Sequence, residues 1–343
     1  MKDNKKHKKA EYGILITGLI ILLAATCVIA LCAGQYSVSV PEVIKILASR
    51  FVNVTKTWSN TAEGVVFTLR LPRMIGAVLV GSALSLSGAA YQGVFKNPLV
   101  APDLLGVSSG ACVGASVAIL LHLNSFGVQA MAFVAGILAV GLTLFIPRLI
   151  KNTNMTMLVL SGIIVKGIMD SVMGIIKYVA DPETELQSIT YWQLGSLTKV
   201  LPRDLFTVGP VIIAASVIIF LFRWRINILS LGDREAKTLG VSVTVVRNFI
   251  IICATLLTAS AVCISGTIGW IGLVIPHFAR MLTGPDNTKA IPASILIGAI
   301  FMVAIDTLAR ALTSVELPLS ILTGIIGAPF YIIILARQRM KLS

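Results

Sequence analysis

The sequence predicts an all-α polytopic membrane protein of about ten transmembrane helices with an inverted internal repeat. Three observations predict it. Of 343 residues, 56% are hydrophobic and only 13% charged, where a soluble domain carries about 25% charged residues. Apolar runs of roughly 20 residues recur along the chain, the length that crosses a hydrocarbon core of about 30 Å at about 1.5 Å per residue. The net charge of +13 is not spread evenly but gathers in alternate loops, as the positive-inside rule requires. That distribution needs no nucleic-acid partner to explain it. No alternating-strand pattern supports a barrel, and no polar stretch is long enough to bury a core. Residues 1–343 therefore read as one transmembrane domain.

The expected spans are 12–33, 66–90, 103–121, 128–148, 156–178, 205–222, 244–264, 268–282, 290–312 and 318–336. A basic N-terminus, 1–11, carries five lysines and should stay in the cytosol of a bacterial cell, with the span at 12–33 anchored in the cytoplasmic membrane. Small residues at Ala30 and Cys32 would permit signal cleavage before Ala33, but nine further spans favour an uncleaved first helix. An even span count then returns Arg337, Arg339 and Lys341 to the cytosol. On this topology roughly twice as many Lys and Arg fall inside as outside. Residues 34–65 form an extracytoplasmic loop, and 223–243 a cytosolic polar island. Laying 81–98 over 259–276 pairs Ser82 with Ser260, Ala83 with Ala261, Ser87-Gly88 with Ser265-Gly266, and Pro98 with Pro276. The spans before the two copies run in opposite directions, the plan of an inverted repeat with its pathway at the repeat interface. Glycine clusters at 81–88, 106–114 and 266–272 allow close helix approach. Gly-Pro interruptions near 93–106 and 266–276 break helices, which at membrane depth is tolerated only within protein or beside a cavity.

Catalytic constellations are missing. His7, His122 and His277 are scattered, there is no HExxH or GxSxG, and the phosphate-cradling GxxxxGK[ST] is absent. The five cysteines lie in or beside apolar spans without metal spacing and read as small packing residues. No cofactor or metal is expected on this chain, and ATP and Mg would be bound by a partner ATPase.

The polar island has helix grammar. Gly232-Asp233 supplies a turn and an N-cap, Glu235 sits in the first turn, and Gly240 can close the C-terminus. Ala236 and Leu239, three apart, should share one face. A short capped helix in a cytosolic loop is either an ordinary surface loop or a coupling helix seated in an ATPase. In the fifth span Lys166 and Asp170 lie four apart, so they can neutralise one another, or Lys166 can line a pathway and favour an anionic cargo. A charge at mid-bilayer costs about 2.5–3.5 kcal/mol on the insertion scale and is normally turned inward.

Several blocks, in order, resemble the FecCD permeases of ABC importers for iron-siderophores, haem and cobalamin. They are LRLPR (69–73), SGAAYQGVFKNPLVAPDLLGVSSGA (87–111), YWQLGSL (191–197), LGDREAKTLGV (231–241), SGTIGWIGLVIPHFARMLTGPD (265–286) and ELPLSILTGIIGAPFYIIIL (316–335). The resemblance implies a non-catalytic permease subunit, paired with a second permease as homodimer or with a sister. Two cytosolic ATPases would dock on Glu235, Ala236 and Leu239. It also implies an extracytoplasmic substrate-binding protein received by Arg70, Arg73 and Arg310, whose forks suit carboxylates. A ferric siderophore is the cargo it points to first, with haem or cobalamin as alternatives. An ion-coupled secondary transporter is the rival from another class. It would want several acidic residues within spans, where only Asp170 and Asp306 qualify.

Overall fold

The computed structural model describes residues 2–152, 154–313 and 315–339, so Lys341 lies outside the described residues. Among them every regular element is helical. Seven helices are long and apolar enough to cross a membrane, and three shorter apolar helices fall on the remaining expected spans. The protein is a multi-pass membrane protein.

The central helix is α4, Leu71–Phe95, almost all of it buried. Around it pack α11 (Val243–Ser265), α12 (Ile271–Thr283), α13 (Asn287–Ala311) and α9 (Pro202–Leu231), with α1 (Lys2–Cys32) against α13. A second group, α5 (Val107–Leu120), α6 (Ser125–Leu149) and α7 (Met155–Val179), abuts α11. Small residues set these contacts. A Cβ on Gly81 would strike the Gly298 carbonyl of α13, and one on Gly110 or Gly114 would strike α6. Between them the serines of α4 bond across: Ser85 Oγ donates to the Ser294 carbonyl at 2.8 Å, and Ser87 Oγ to the Ala254 carbonyl at 2.9 Å. Without a hydrophobic force between helices in lipid, close approach and hydrogen bonds of this kind hold the bundle.

The ends of the bundle follow from these pairings. Lys96, just after α4, meets Asp233, while Arg73 at its start meets Asp306 near the end of α13. We refer to them as the Asp233 end and the Arg73 end. Tyr12 donates to the Lys289 carbonyl, placing the start of α1 at the Asp233 end. The last helix, α14 (Leu319–Arg339), starts beside Gly195 and Glu316 at the Arg73 side.

The expected loop 34–65 proves to be a folded cap. It holds α2 (Val40–Ala48) and α3 (Asn60–Gly64), with Val38, Val43, Ile46 and Trp58 buried against Leu31 of α1. The mixed polar composition of the segment gave no sign of that separate core. The chain enters α4 through a π-helical turn, Val65–Arg70, closed by Leu71 N–H onto the Val66 carbonyl. Pro72 follows, and having no N–H it cannot continue an ordinary α ladder.

Two breaks sit inside the bundle, at 96–106 and 266–270. The first contains a 3-10 turn, Pro102–Leu105, and Gly106 at φ 81°; the second has Gly266 at φ 68°. Pro276, expected to break the helix, lies within α12 instead. The two breaks lie against each other, with Pro102 filling the space a Cβ on Gly272 would need. Gln92 of α4 serves both: its amide NH2 donates to the Val100 and Leu273 carbonyls at 3.2 and 3.1 Å. Its oxygen accepts from Arg280. Irregular backbone at this depth is thus paired within protein.

Candidate functional site

The polar island divides in two. Residues 223–231 continue α9, so the separate helix is only α10, Asp233–Thr238. Gly232, at φ 144°, is the N-cap, and Asp233 is the first helical residue rather than the cap. The C-terminus closes on a Schellman motif: Gly240 N–H donates to the Lys237 carbonyl and Val241 N–H to the Ala236 carbonyl, both at 3.0 Å. Gly240 takes φ 77°, the left-handed conformation that motif demands.

A six-residue helix is not stable alone, and two contacts hold it. Ala236 is fully buried in the main core. The Asp233 carboxylate accepts from Arg247 of α11 at 2.7 and 2.8 Å and from Lys96 at 3.0 Å. Those bonds, Arg247's foremost, hold its pKa below the ordinary aspartate value. The tether is therefore present above the unfolded pKa of about 3.9 and is lost as pH falls through the lower folded value. Amide protection of α10 in hydrogen exchange should drop in that acid window, and Asp233→Asn should remove the pH dependence.

The expectation that Ala236 and Leu239 share one face is corrected. Because the helix ends at Thr238, Leu239 is its C-cap and falls in the closing turn. It is 58% exposed while Ala236 points inward. Arg234, Glu235, Lys237 and Thr238 complete the exposed surface with Leu239.

At the Arg73 end the three arginines expected to receive a partner are turned inward. Arg70 donates to the Leu31 and Cys32 carbonyls at 2.8 and 3.0 Å and also to Tyr36. Arg310 donates to the Ala33 carbonyl at 2.8 Å and to that of Ala30. Both satisfy carbonyls that the last turn of α1 leaves without helical partners. Arg73 holds two carboxylates, Asp306 at 2.9 Å through Nε and Glu316 at 2.7 Å, and Thr198 Oγ1 donates to Glu316 at 2.5 Å. With Arg70 and Arg73 under a tenth exposed, none of the three offers a free fork. Glu316, Thr198 and the α1 carbonyls carry no signature in sequence that would have named them as partners.

Lys166 and Asp170 do not pair with one another. Lys166 Nζ donates to Asp103 at 3.3 Å, across to the 3-10 turn. Asp103 also accepts the Ser108 amide at 3.1 Å in the first turn of α5. Lys166, Asp170, Asp103, Ser109, Gln193 and Thr267, with Cys112 and Met173, line an open chamber of about 260 Å³. Gln193 comes from the end of α8 (Glu185–Leu194), which is followed by Gly195 at φ 72°. Ser196 N–H reaches the Ser265 carbonyl at 2.8 Å, and Thr267 donates to the Gln193 carbonyl at 2.5 Å. Gly195 lies so close to this break that a Cβ would come within 2.8 Å of the Thr267 carbonyl. Trp270, at φ 70°, is strained for a bulky residue. Its ring base occupies the space a Cβ would need at Gly327 of α14.

A family model described as the FecCD transport family matches residues 21–337. The chain belongs to that family. The molybdate import system permease protein MolB of Haemophilus influenzae is 37% identical, covering 94% of this chain and 95% of that one. A probable iron chelatin transport system permease of Helicobacter pylori is 40% identical over 80% and 83% of the two chains. Among solved structures, an inward-facing conformation assigned to a metal-chelate type ABC transporter superposes with a TM-score of 0.85. It is 35% identical and covers 95% of this chain and 99% of that one. The blocks carrying the family resemblance are those that build the site: α10, the paired breaks, and the turn after α8.

Proposed function

We propose that this chain is the permease subunit of an ATP-driven importer, with ten spans, an inverted repeat and both termini in the cytosol. It pairs with a second permease and takes up a ferric siderophore. The observation that carries the reading is α10, a helix too short to stand alone, capped at both ends and presenting a polar outer surface around Leu239. Such a helix can be pushed as a unit by an ATPase, with Asp233 passing the motion to α4 and α11 through Lys96 and Arg247. Leu239→Asp should leave the fold intact, because an exposed surface change costs within about 0.5 kcal/mol. Co-purification of the ATPase and uptake should both fall at least tenfold. Normal uptake by L239D, or uptake abolished by an ionophore alone, would sink the reading in favour of a secondary transporter.

The MolB relative favours a second reading of the cargo, molybdate. The chamber bears on this. Asp103, Asp170 and Lys166 sum to one net negative charge, so Lys166 does not act as a lone attractor of anions. In this reading it lines the pathway, and Lys166→Met reduces uptake at normal expression. The ligand retained by the cognate binding protein decides between chelate and oxyanion. With Arg70, Arg73 and Arg310 engaged internally, docking of that protein falls to the exposed Lys199 and Arg203.

A further inference from the structure

A second cavity lies at the Asp233 end, between the end of α6 and the starts of α7 and α11. It has a volume of about 170 Å³ and is lined by Leu144, Pro147, Arg148, Met155, Leu158, Thr244, Arg247 and Asn248. One side is apolar and the other strongly cationic. Arg247 is only 11% exposed, and although its terminal nitrogen holds Asp233, its Nε is buried without a hydrogen-bond partner. A buried guanidinium N–H left unpaired is costly unless something fills the site. Arg148 is exposed and makes no ion pair among the described residues. Lys96 and Lys151 stand nearby on the connecting loops, while Asp233 is the acidic group facing Arg247. Two helix N-termini, of α7 and α11, also open here and add their positive ends.

Beyond the cavity, the faces of α6 and α11 that carry its lining stay open. Gly141, two turns before Arg148 on α6, has no neighbour within 4 Å of a notional Cβ. Ile252, one turn beyond Asn248 on α11, is 49% exposed. Residues spaced by four or seven share a helix face, so open apolar helix surface lies next to the cationic pocket. A soluble anion would need the pocket but not that surface. Basic pockets between transmembrane helices on the cytoplasmic side are a recurring form of lipid recognition.

We infer that this cavity binds the phosphate of an anionic phospholipid from the inner leaflet, with Arg148 and Arg247 Nε as its donors and an acyl chain along Gly141 and Ile252. A phosphate on Nε leaves the terminal nitrogen of Arg247 on Asp233, so the lipid braces the guanidinium that anchors α10. This goes beyond the transport reading and rests only on its cytosolic placement of the Asp233 end, not on transport itself.

The test uses the full chain with its partner subunits, purified in detergent and reconstituted in nanodiscs of phosphatidylcholine with or without phosphatidylglycerol. Wild-type protein should retain one phosphatidylglycerol per chain in native mass spectra, and its Tm should rise in the phosphatidylglycerol discs. Arg148→Gln should lower both effects several-fold. Gly141→Leu, which keeps every charge but crowds the open helix surface, should lower retention while leaving Tm in pure phosphatidylcholine unchanged. Equal retention in wild type and R148Q would overturn the site. A rise in Tm reproduced by inorganic phosphate in pure phosphatidylcholine discs would overturn its assignment to lipid. Transport failing in all variants alike would leave these binding results untouched, so the two readings fail separately.

Discussion

Replacing Arg73 with methionine is expected to destabilise the folded protein by about 3 kcal/mol and to lose uptake through instability rather than through failed docking. Arg73 is the cation shared by Asp306, which is 3% exposed, and Glu316. Removing one partner of a buried pair typically costs about 3–5 kcal/mol, because the remaining charge stays in a medium that cannot solvate it. Arg310 remains 3.8 Å from Asp306 and is tied to α1, which places the loss at the lower end. Arg73→Lys should rescue little, since one compact ammonium cannot present a fork to two carboxylates on different sides. The double variant R73M/D306L should recover much of the loss, as it removes both charges together, and the double-mutant cycle then measures the coupling directly. Thermal unfolding in detergent reads stability and uptake reads function. If R73M were as stable as wild type yet transported nothing, the residue would be a docking group after all.

That arginine network shows where sequence reading ends. Arg73 lies 233 residues from Asp306 and 243 from Glu316, and nothing local marks such partners. Arg70 and Arg310 are less legible still, because they bond to main-chain carbonyls that any residue could supply. Their positions at span ends were readable from charge; whether they faced solvent depended on a cap folded from 34–65. By contrast α10 was legible almost to the residue, since Gly232 and Gly240 mark conformations that other residues adopt poorly. The error of face at Leu239 came from the C-terminus, where the helix ends at Thr238 and Leu239 is the C-cap rather than a helical residue. Lys166 followed the same rule as Arg73. Its neighbour in sequence, Asp170, was the obvious partner, but the 3-10 turn brings Asp103 closer. The glycine clusters were read correctly as packing devices at 81–88, while which carbonyl each glycine meets required the assembled bundle.

The most sensitive of those glycines should be Gly88. A Cβ there would fall on the carbonyl of Gly272, and backbone, unlike a side-chain tip, has no rotamer to escape into. Gly88→Ala must therefore part α4 from α12 at the level where the two breaks meet. The same movement pulls the Gly272 and Leu273 carbonyls away from the Gln92 amide, which holds them at 3.3 and 3.1 Å. Overpacking costs about 1–3 kcal/mol, and each lost hydrogen bond adds about 1 kcal/mol, so one methyl group should cost about 3 kcal/mol or more. Gly174→Ala is the matched control. It lies on the exposed face of α7 with nothing within 4 Å, so the methyl group should raise helix propensity by up to about 1 kcal/mol and leave stability unchanged or improved. The buried thiols of Cys253 and Cys263 supply the measurement, because their labelling rate rises as the bundle opens. G88A should label fast at a temperature where wild type and G174A remain protected. Equal labelling of G88A and G174A would mean that α4 and α12 are free to separate, and that the close contact at Gly272 does not hold the paired breaks in place.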